Sequence, residues 1–447
     1  MKILIVAGYF PPYSPNSAIR VNKLSKYLLA RGHDVKVLAP RNQAYPPILE
    51  PEIDDKHIIY TDYDDINQFP ERVINGIKRI LKGASATENQ NDDLAGTTGQ
   101  GNPGNASSAA MPGADEDNWS PSFISRVYMA LTNVPDNIVG WYPHAIRAAR
   151  RLRAAWQPDI IFATAPPHTT LLVASKISRV MKAPWVCEYR DLWSDHPYYS
   201  EGKCREVVDR FLEGRILRNC AGLVTVTQTW ADLLREKRQL PVEFVMNGFD
   251  PDDFQEGPFR PLNDDVITIT YAGVLYEGKR DPSALFAALG QMGEKARNFV
   301  VRFHVPNPDT VIQMASKYKV EHCVDARPLV PFSEALEIMK RSDLLMLLRW
   351  DHPGENGVIA GKLFEYIGAC RPILSIGSTE GEAADIIRDQ HFGVVSNNAD
   401  DIVRYLEDCL VQKQSGQIAA PPAAARHQYS RNTQFERLEA FMQGLIT

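Results

Sequence analysis

Lys362 and Glu365 stand three residues apart in the stretch 357–374, GVIAGKLFEYIGACRPIL. Residues at i and i+3 share one side of a helix. An ammonium there can hold a phosphate oxygen, and a carboxylate can accept from two neighbouring hydroxyls, such as those of a ribose. The combination reads as a grip on a nucleotide. The same spacing also describes a solvated ion pair with no ligand at all. The surrounding pattern bears on the choice. Residues 343–349 (DLLMLLR) read as a buried strand and 350–358 as a loop. A helix runs over 360–369 with Leu363, Phe364 and Ile367 as its apolar face. Arg371 and Pro372 end it, and a strand begins at 373–376. Such strand–loop–helix–strand units bind ligands outside the carboxyl ends of their strands, at the helix N-terminus. Lys362 lies in the first helical turn, where the helix dipole disfavours a cation. An anion shared by the lysine and the helix end removes that conflict.

The elements that position this pair must come from a chain of 447 residues, enough for two or three domains with well-sized cores. Hydrophobic content of 44% and charged content of 23% are ordinary for soluble globular protein. A net charge of −6 gives no bulk case for nucleic-acid binding. Cys187, Cys204, Cys220, Cys323, Cys370 and Cys409 lack CxxC spacing, which speaks against a zinc site and a disulfide framework. A reducing cytoplasm fits. The opening MKILIVAGYFPP holds an apolar run of only five residues, short for a signal peptide. No stretch is long enough to span a membrane.

Residues 2–7 read as a buried parallel strand, followed by Gly8, a Pro-rich loop, a helix marked by Ala18, Val21, Leu24 and Leu28, and a strand at 35–39. Gly8 stands where backbone approaches something closely, or is a plain turn glycine. Residues 83–121 turn rich in Gly, Ser, Ala, Asn and Asp and read as a disordered insertion. The α/β pattern resumes with a basic helix over 144–156, strands at 159–163, 185–189 and 222–227, and helices at 169–181 and 203–219. Arg147, Arg150, Arg151 and Arg153 on the first helix, and the basic helix over 203–218, are expected to meet anionic lipid, each basic residue adding about 1 kcal/mol. A solvated helix face is the alternative. A break over 250–265 precedes a second βαβ series from 267 onward. The expected architecture is α/β. It has two Rossmann-like domains facing each other across a cleft: residues 1–250 and 265–425, with a final helix in 426–447 packing back on the first.

YFPP…AIRVNKLSKYLLARGHDVKVL, PPHTT, WVCEYRDLW and VMNGFD in the first half, and YAGVLYEGKRDP and GKLFEYIGACRPIL in the second, resemble glycosyltransferase family 4. The likeness is to members of surface-polysaccharide assembly. It covers nearly the whole chain outside 83–121, with the more specific motifs in the second half. It implies the GT-B fold and a C-terminal domain that binds a nucleotide-sugar. It also implies transfer with retention of anomeric configuration, no metal and no cofactor beyond the UDP- or GDP-sugar substrate. Glu365 takes the place of the second glutamate of the family's Glu-x7-Glu motif, the ribose binder. The first falls on Gly357, a departure that Glu355 or Asp351 in the same loop would have to make good.

Cleaving the bond from sugar C1 to a nucleoside diphosphate leaves negative charge on the β-phosphate, and fixed cations aimed there stabilise the transition state. Lys362, Lys279 and Arg280 are the candidates, with Gly273 letting the backbone come close. Lys279 and Arg280 equally describe a solvated turn. Gly377 and Ser378 open a loop that touches phosphate or base, or serves only as a turn. On the acceptor side stand Asp191, Glu188 and His168, one of which orients or deprotonates a hydroxyl. The alternatives are a buried Arg190–Asp191 pair and a loop-bonding His168. Three functions stay open: a transferase acting on a glycan or lipid-linked acceptor, a sugar-nucleotide epimerase, and a non-catalytic partner subunit.

Overall fold

The computed structural model describes residues 1–13, 16–41, 45, 47, 49–66, 132–197, 199, 201–254, 260–276, 278–416 and 418–446. The expected insertion at 83–121 lies outside the described residues. The chain builds two sheets. The first runs β1 (Lys2–Ala7), α1 (Asn16–Ala30), β2 (Asp34–Pro40), β3 (Ile58–Thr61), α2 (Tyr142–Leu152), β4 (Ile160–Ala165), α3 (Thr169–Met181), β5 (Trp185–Tyr189), α4 (Lys203–Leu217), β6 (Gly222–Thr225), α5 (Gln228–Lys237) and β7 (Val242–Phe244). Its order is β3-β2-β1-β4-β5-β6-β7, parallel from β3 through β5. The second runs β8 (Ile267–Ala272), α6 (Ser283–Met292), β9 (Phe299–His304), α7 (Pro308–Ser316), β10 (Val324–Arg327), α8 (Phe332–Arg341) and β11 (Leu344–Leu348). It continues through α9 (Gly361–Ala369), β12 (Ile373–Ile376), α10 (Glu382–Asp389), β13 (Gly393–Val395) and α11 (Ala399–Gln414), with α12 (Ala423–Arg426) and α13 (Arg431–Gly444) at the end. Its six strands lie in the order β10-β9-β8-β11-β12-β13, all parallel. The break at 250–265 falls between β7 and β8.

Parallel strands covered on both faces need continuous apolar runs. In β11 (LLMLL) every residue is buried. Leu344, Met346 and Leu348 enter one core with α6 and α11, while Leu345 and Leu347 enter another with α8, α9 and α10. By contacts the chain divides into two compact units, Met1–Leu223 with Met442–Thr447, and Val224–Phe441, the division falling inside β6. Within the second unit, α13 holds the segment after β7. Gln434 accepts from the Met246 amide at 2.8 Å, and Arg437 pairs with Glu243 at 2.7 Å.

Candidate functional site

In the second sheet the strand order reverses between β8 and β11, and their carboxyl ends open the crevice where such sheets bind ligands. Lys362 is the second residue of α9, whose N-cap residue, Ala360, offers no side-chain cap to the first helical amides. Lys362 and Glu365 are both half-buried. They form no ion pair with each other, and neither side chain makes a hydrogen bond among the described residues, so the solvated-pair reading does not hold. Burial pushes the Lys362 ammonium below its usual range, Glu365 opposes this, and the nearby Arg280 guanidinium adds to it. Burial likewise pushes the Glu365 carboxyl up, against the pull of Lys362 and Arg431. Each charge is thus held where its surroundings disfavour it.

The loop after β8 supplies the rest of the cationic wall. Gly273 has φ +143°, and a Cβ there would lie 2.4 Å from Lys362 Nζ, so the lysine crosses directly over the glycine backbone. Lys362 Nζ also stands 5.9 Å from the Tyr271 ring centre. Arg280 packs on the Tyr276 ring at 5.1 Å, and the Tyr271 hydroxyl donates to Val274 O at 2.8 Å. Burial raises the Tyr271 hydroxyl to about 12, opposed by Arg280. Lys279 lies 4.9 Å above the Trp350 ring, which stacks on His352 at 4.2 Å. Lys362 and Arg280 are therefore close enough to repel, and no acidic side chain pairs with either within the described residues. Two such cations beside open helix amides are the groups an anion would be held by.

The other expected donor-side residues are placed as follows. Gly377, φ +103°, lets the β12 end pass against β11: a Cβ would meet Arg349 O at 1.9 Å. Ser378 is buried, its carbonyl accepting from Arg349 Nη1 at 2.9 Å and its hydroxyl bonding within the turn to Glu380. Glu355 is buried in the 3-10 turn Pro353–Gly357, and Asp351 is exposed near Asn397. At Gly357 a Cβ would stand 2.6 Å from Trp230 Nε1. The indole thus occupies the space a side chain at 357 needs. Sequence reading missed Trp230, Trp350, Tyr276 and Glu382. The Glu382 carboxylate caps α5, accepting from the amides of Gln228 and Thr229 at 2.9 and 3.0 Å. The aromatic-plus-cation spacing of residues 276–280 was the one available signal.

In the first unit, Gly8 follows β1, and a Cβ there would meet Pro167 Cγ at 2.3 Å, so the glycine serves close backbone approach. Glu188 is buried and accepts from Arg20 Nη2 at 2.8 Å, Arg20 Nε at 3.0 Å and the Thr164 hydroxyl at 2.6 Å. Its carboxylate is engaged inside the unit. His168 stacks on Trp193 at 4.5 Å, and burial, reinforced by His196, Arg190 and Arg205, pulls its imidazole down to about 3. A ring that weakly basic is neutral at pH 7 and a poor proton acceptor. Asp191 is exposed, with His196 Nε2 at 4.0 Å. Arg190 turns instead to the Pro166 carbonyl, so the expected Arg190–Asp191 pair does not form.

Fold and sequence together give the class. Residues 114–248 match the model of the glycosyl transferase 4-like domain, and the whole chain superposes on GT-B glycosyltransferases, so the likeness to GT4-type glycosyltransferases holds. The family match falls on the half carrying PPHTT and WVCEYRDLW, not on the half expected to be more specific. Among solved structures, HepE of Anabaena, crystallised with UDP, is 13% identical with a TM-score of 0.61, covering 99% of this chain and 100% of that one. Sucrose-phosphate synthase of Thermosynechococcus elongatus is 12% identical with a TM-score of 0.56, covering 100% and 96%. A UDP-N-acetylglucosamine 2-epimerase from Listeria monocytogenes is 14% identical with a TM-score of 0.53, covering 99% and 96%. At these identities the likeness is one of fold. No curated protein sequence matches the chain.

Proposed function

We propose that the protein transfers a sugar from a nucleotide-sugar to a hydroxyl of a glycan or lipid-linked precursor, with retention at C1, in polysaccharide assembly. The observation that carries this is the pair Lys362 and Arg280, two cations with no acidic partner among the described residues, at the strand-order reversal, beside the Glu365 carboxylate, which makes no hydrogen bond among those residues. Lys362 and Arg280 take the β-phosphate, whose charge grows as the C1–O bond breaks, and the α9 amides share it. Glu365 accepts from the ribose hydroxyls. Lys279 and Gly273 complete the diphosphate side, with Gly377 and Ser378 shaping the loop opposite. Asp191, exposed just past the end of β5, is the acceptor-side candidate for a base. That HepE was crystallised with UDP and with UDP-glucose favours UDP over GDP.

The test is calorimetric titration with UDP, GDP and UDP-glucose, repeated on Lys362→Ala. Micromolar binding that weakens in the variant is expected, and no binding of any nucleotide overturns the reading. Gly357, where the family has a glutamate, favours a second reading as a non-catalytic subunit, and the fold shared with an epimerase a third. Release of nucleoside diphosphate only when an acceptor is present separates transfer from both.

A further inference from the structure

We propose that the helix layer α2–α4 of the first unit docks on an anionic phospholipid surface, with α4 inserting Val207, Val208 and Phe211 while α2 presents arginines to the lipid phosphates. Val207, Val208 and Phe211 are 68%, 47% and 67% exposed. They share one side of α4 with Cys204 and Arg215 by helical spacing. Scattered exposed apolar residues are ordinary, but three large ones adjoining on one helix are a patch.

The acids of α4 are turned away from that side. Asp209 is buried, accepting from Arg205 Nε at 2.8 Å and the Tyr199 hydroxyl at 2.9 Å. Glu213 is buried, accepting from the Tyr189 hydroxyl at 2.7 Å and from Ser194. Glu206 is tied to Arg210 at 2.7 Å. Of the basic residues, Lys203, Arg215 and Arg218 are all exposed, while the exposed Glu201 stands just ahead of the helix. The inward hydrogen bonds that anchor α4 turn Asp209 and Glu213 away from its outer side.

A second cationic surface lies on the same face of the sheet. α3 packs against both α2 and α4, so the three helices form one layer on the sheet. Arg147, Arg150, Arg151 and Arg153 are exposed and form no ion pair among the described residues. Arg147 and Arg151, one turn apart, repel each other, which an isolated helix would not favour. With Arg41 they line an open cavity of about 570 Å³ that also takes in Tyr60, Asp62 and His144. In a chain of net charge −6 this is a local reversal of sign. Valine and phenylalanine tips beside free arginines compose an interfacial helix. A nucleic-acid surface would satisfy the arginines but give the valines nothing apolar to enter. No helix among the described residues is long and apolar enough to cross a membrane.

The test is sedimentation of the full chain with phosphatidylcholine vesicles, with and without phosphatidylglycerol. Binding to the phosphatidylglycerol vesicles alone is expected, weakening with salt. Val207→Ser/Phe211→Ser should lower the partition coefficient by about tenfold or more. Arg147→Gln and Arg151→Gln should each lower it by about fivefold. All these side chains are exposed, so thermal unfolding should stay as in the parent chain. A polarity-sensitive dye on the exposed Cys204 tests the unmutated surface: its emission should shift to the blue on adding anionic vesicles. Absence of wild-type binding, binding unchanged in folded variants, or a dye that stays in water would each overturn the proposal.

Discussion

Gly273→Ala should disable the site through Lys362. A Cβ at 273 would lie 2.4 Å from Lys362 Nζ and 2.6 Å from its Cε. Ordinary contact begins near 3.4 Å, so the ammonium must retreat by about 1 Å. The lysine end is flexible and will yield before the backbone does. A charge-assisted hydrogen bond contributes about 1.5–3 kcal/mol, so its loss should raise the UDP dissociation constant by about 10- to 150-fold. The backbone adds a second effect: φ +143° is open to glycine and strained for alanine, costing on the order of 1–3 kcal/mol of stability. Calorimetric titration with UDP measures the first, urea unfolding the second. UDP is the apt probe because its β-phosphate carries the charge that develops as the donor breaks. In a Lys362→Ala background the added Gly273→Ala should weaken UDP by no more than about twofold, because the two changes act through one contact. Unchanged UDP affinity in Gly273→Ala, or a penalty that persists undiminished in the double variant, would refute the reasoning.

Lys362→Ala should lower kcat more than it weakens donor binding, by about 2.7–4 kcal/mol if it acts like one oxyanion donor, whereas Glu365→Ala should chiefly raise the donor KM. Wild-type steady-state constants for both would remove the site from α9. The double variant Lys362→Met/Glu365→Gln should melt at a higher temperature than the parent at pH 7 when unliganded, yet gain nothing from UDP. The signs agree: the raised Glu365 carboxyl contributes stability only at low pH, lost as pH rises through its folded pKa. The lowered Lys362 ammonium contributes only at high pH, lost as pH falls through its folded pKa. A lower melting temperature at pH 7 would contradict this. Glu188→Ala should cost about 3–5 kcal/mol in urea unfolding, since it strands the buried Arg20, and a loss below about 1 kcal/mol would return Glu188 to the list of functional candidates.

What the sequence discloses follows from how each element is buried. β11 is legible as LLMLL because both its faces are covered, and Lys362 and Glu365 are legible because helical spacing alone puts them on one side of α9. β10 (VDAR) is an edge strand with no buried residue and lacks the apolar run a strand is recognised by, and β3 (IIYT), at the other sheet's edge, is only four residues long. Roles fixed by distant partners are hidden in the same way. Glu188 and His168 are types that do acid–base chemistry, and only burial and the company of Arg20 and Trp193 show what holds them. Gly357 shows the limit best. In the sequence it is a missing glutamate, a loss. In the structure a Cβ at 357 would stand 2.6 Å from Trp230 Nε1 and 3.2 Å from Thr229 Cγ2, while Glu382 fixes the start of the helix bearing both. A glutamate restored at 357 alone would have to displace an indole that is itself 4% exposed. The departure at 357 and the tryptophan at 230 are therefore one feature of the packing. In the proposed donor site a glutamate at 357 has no place, because the indole fills the space its side chain would need.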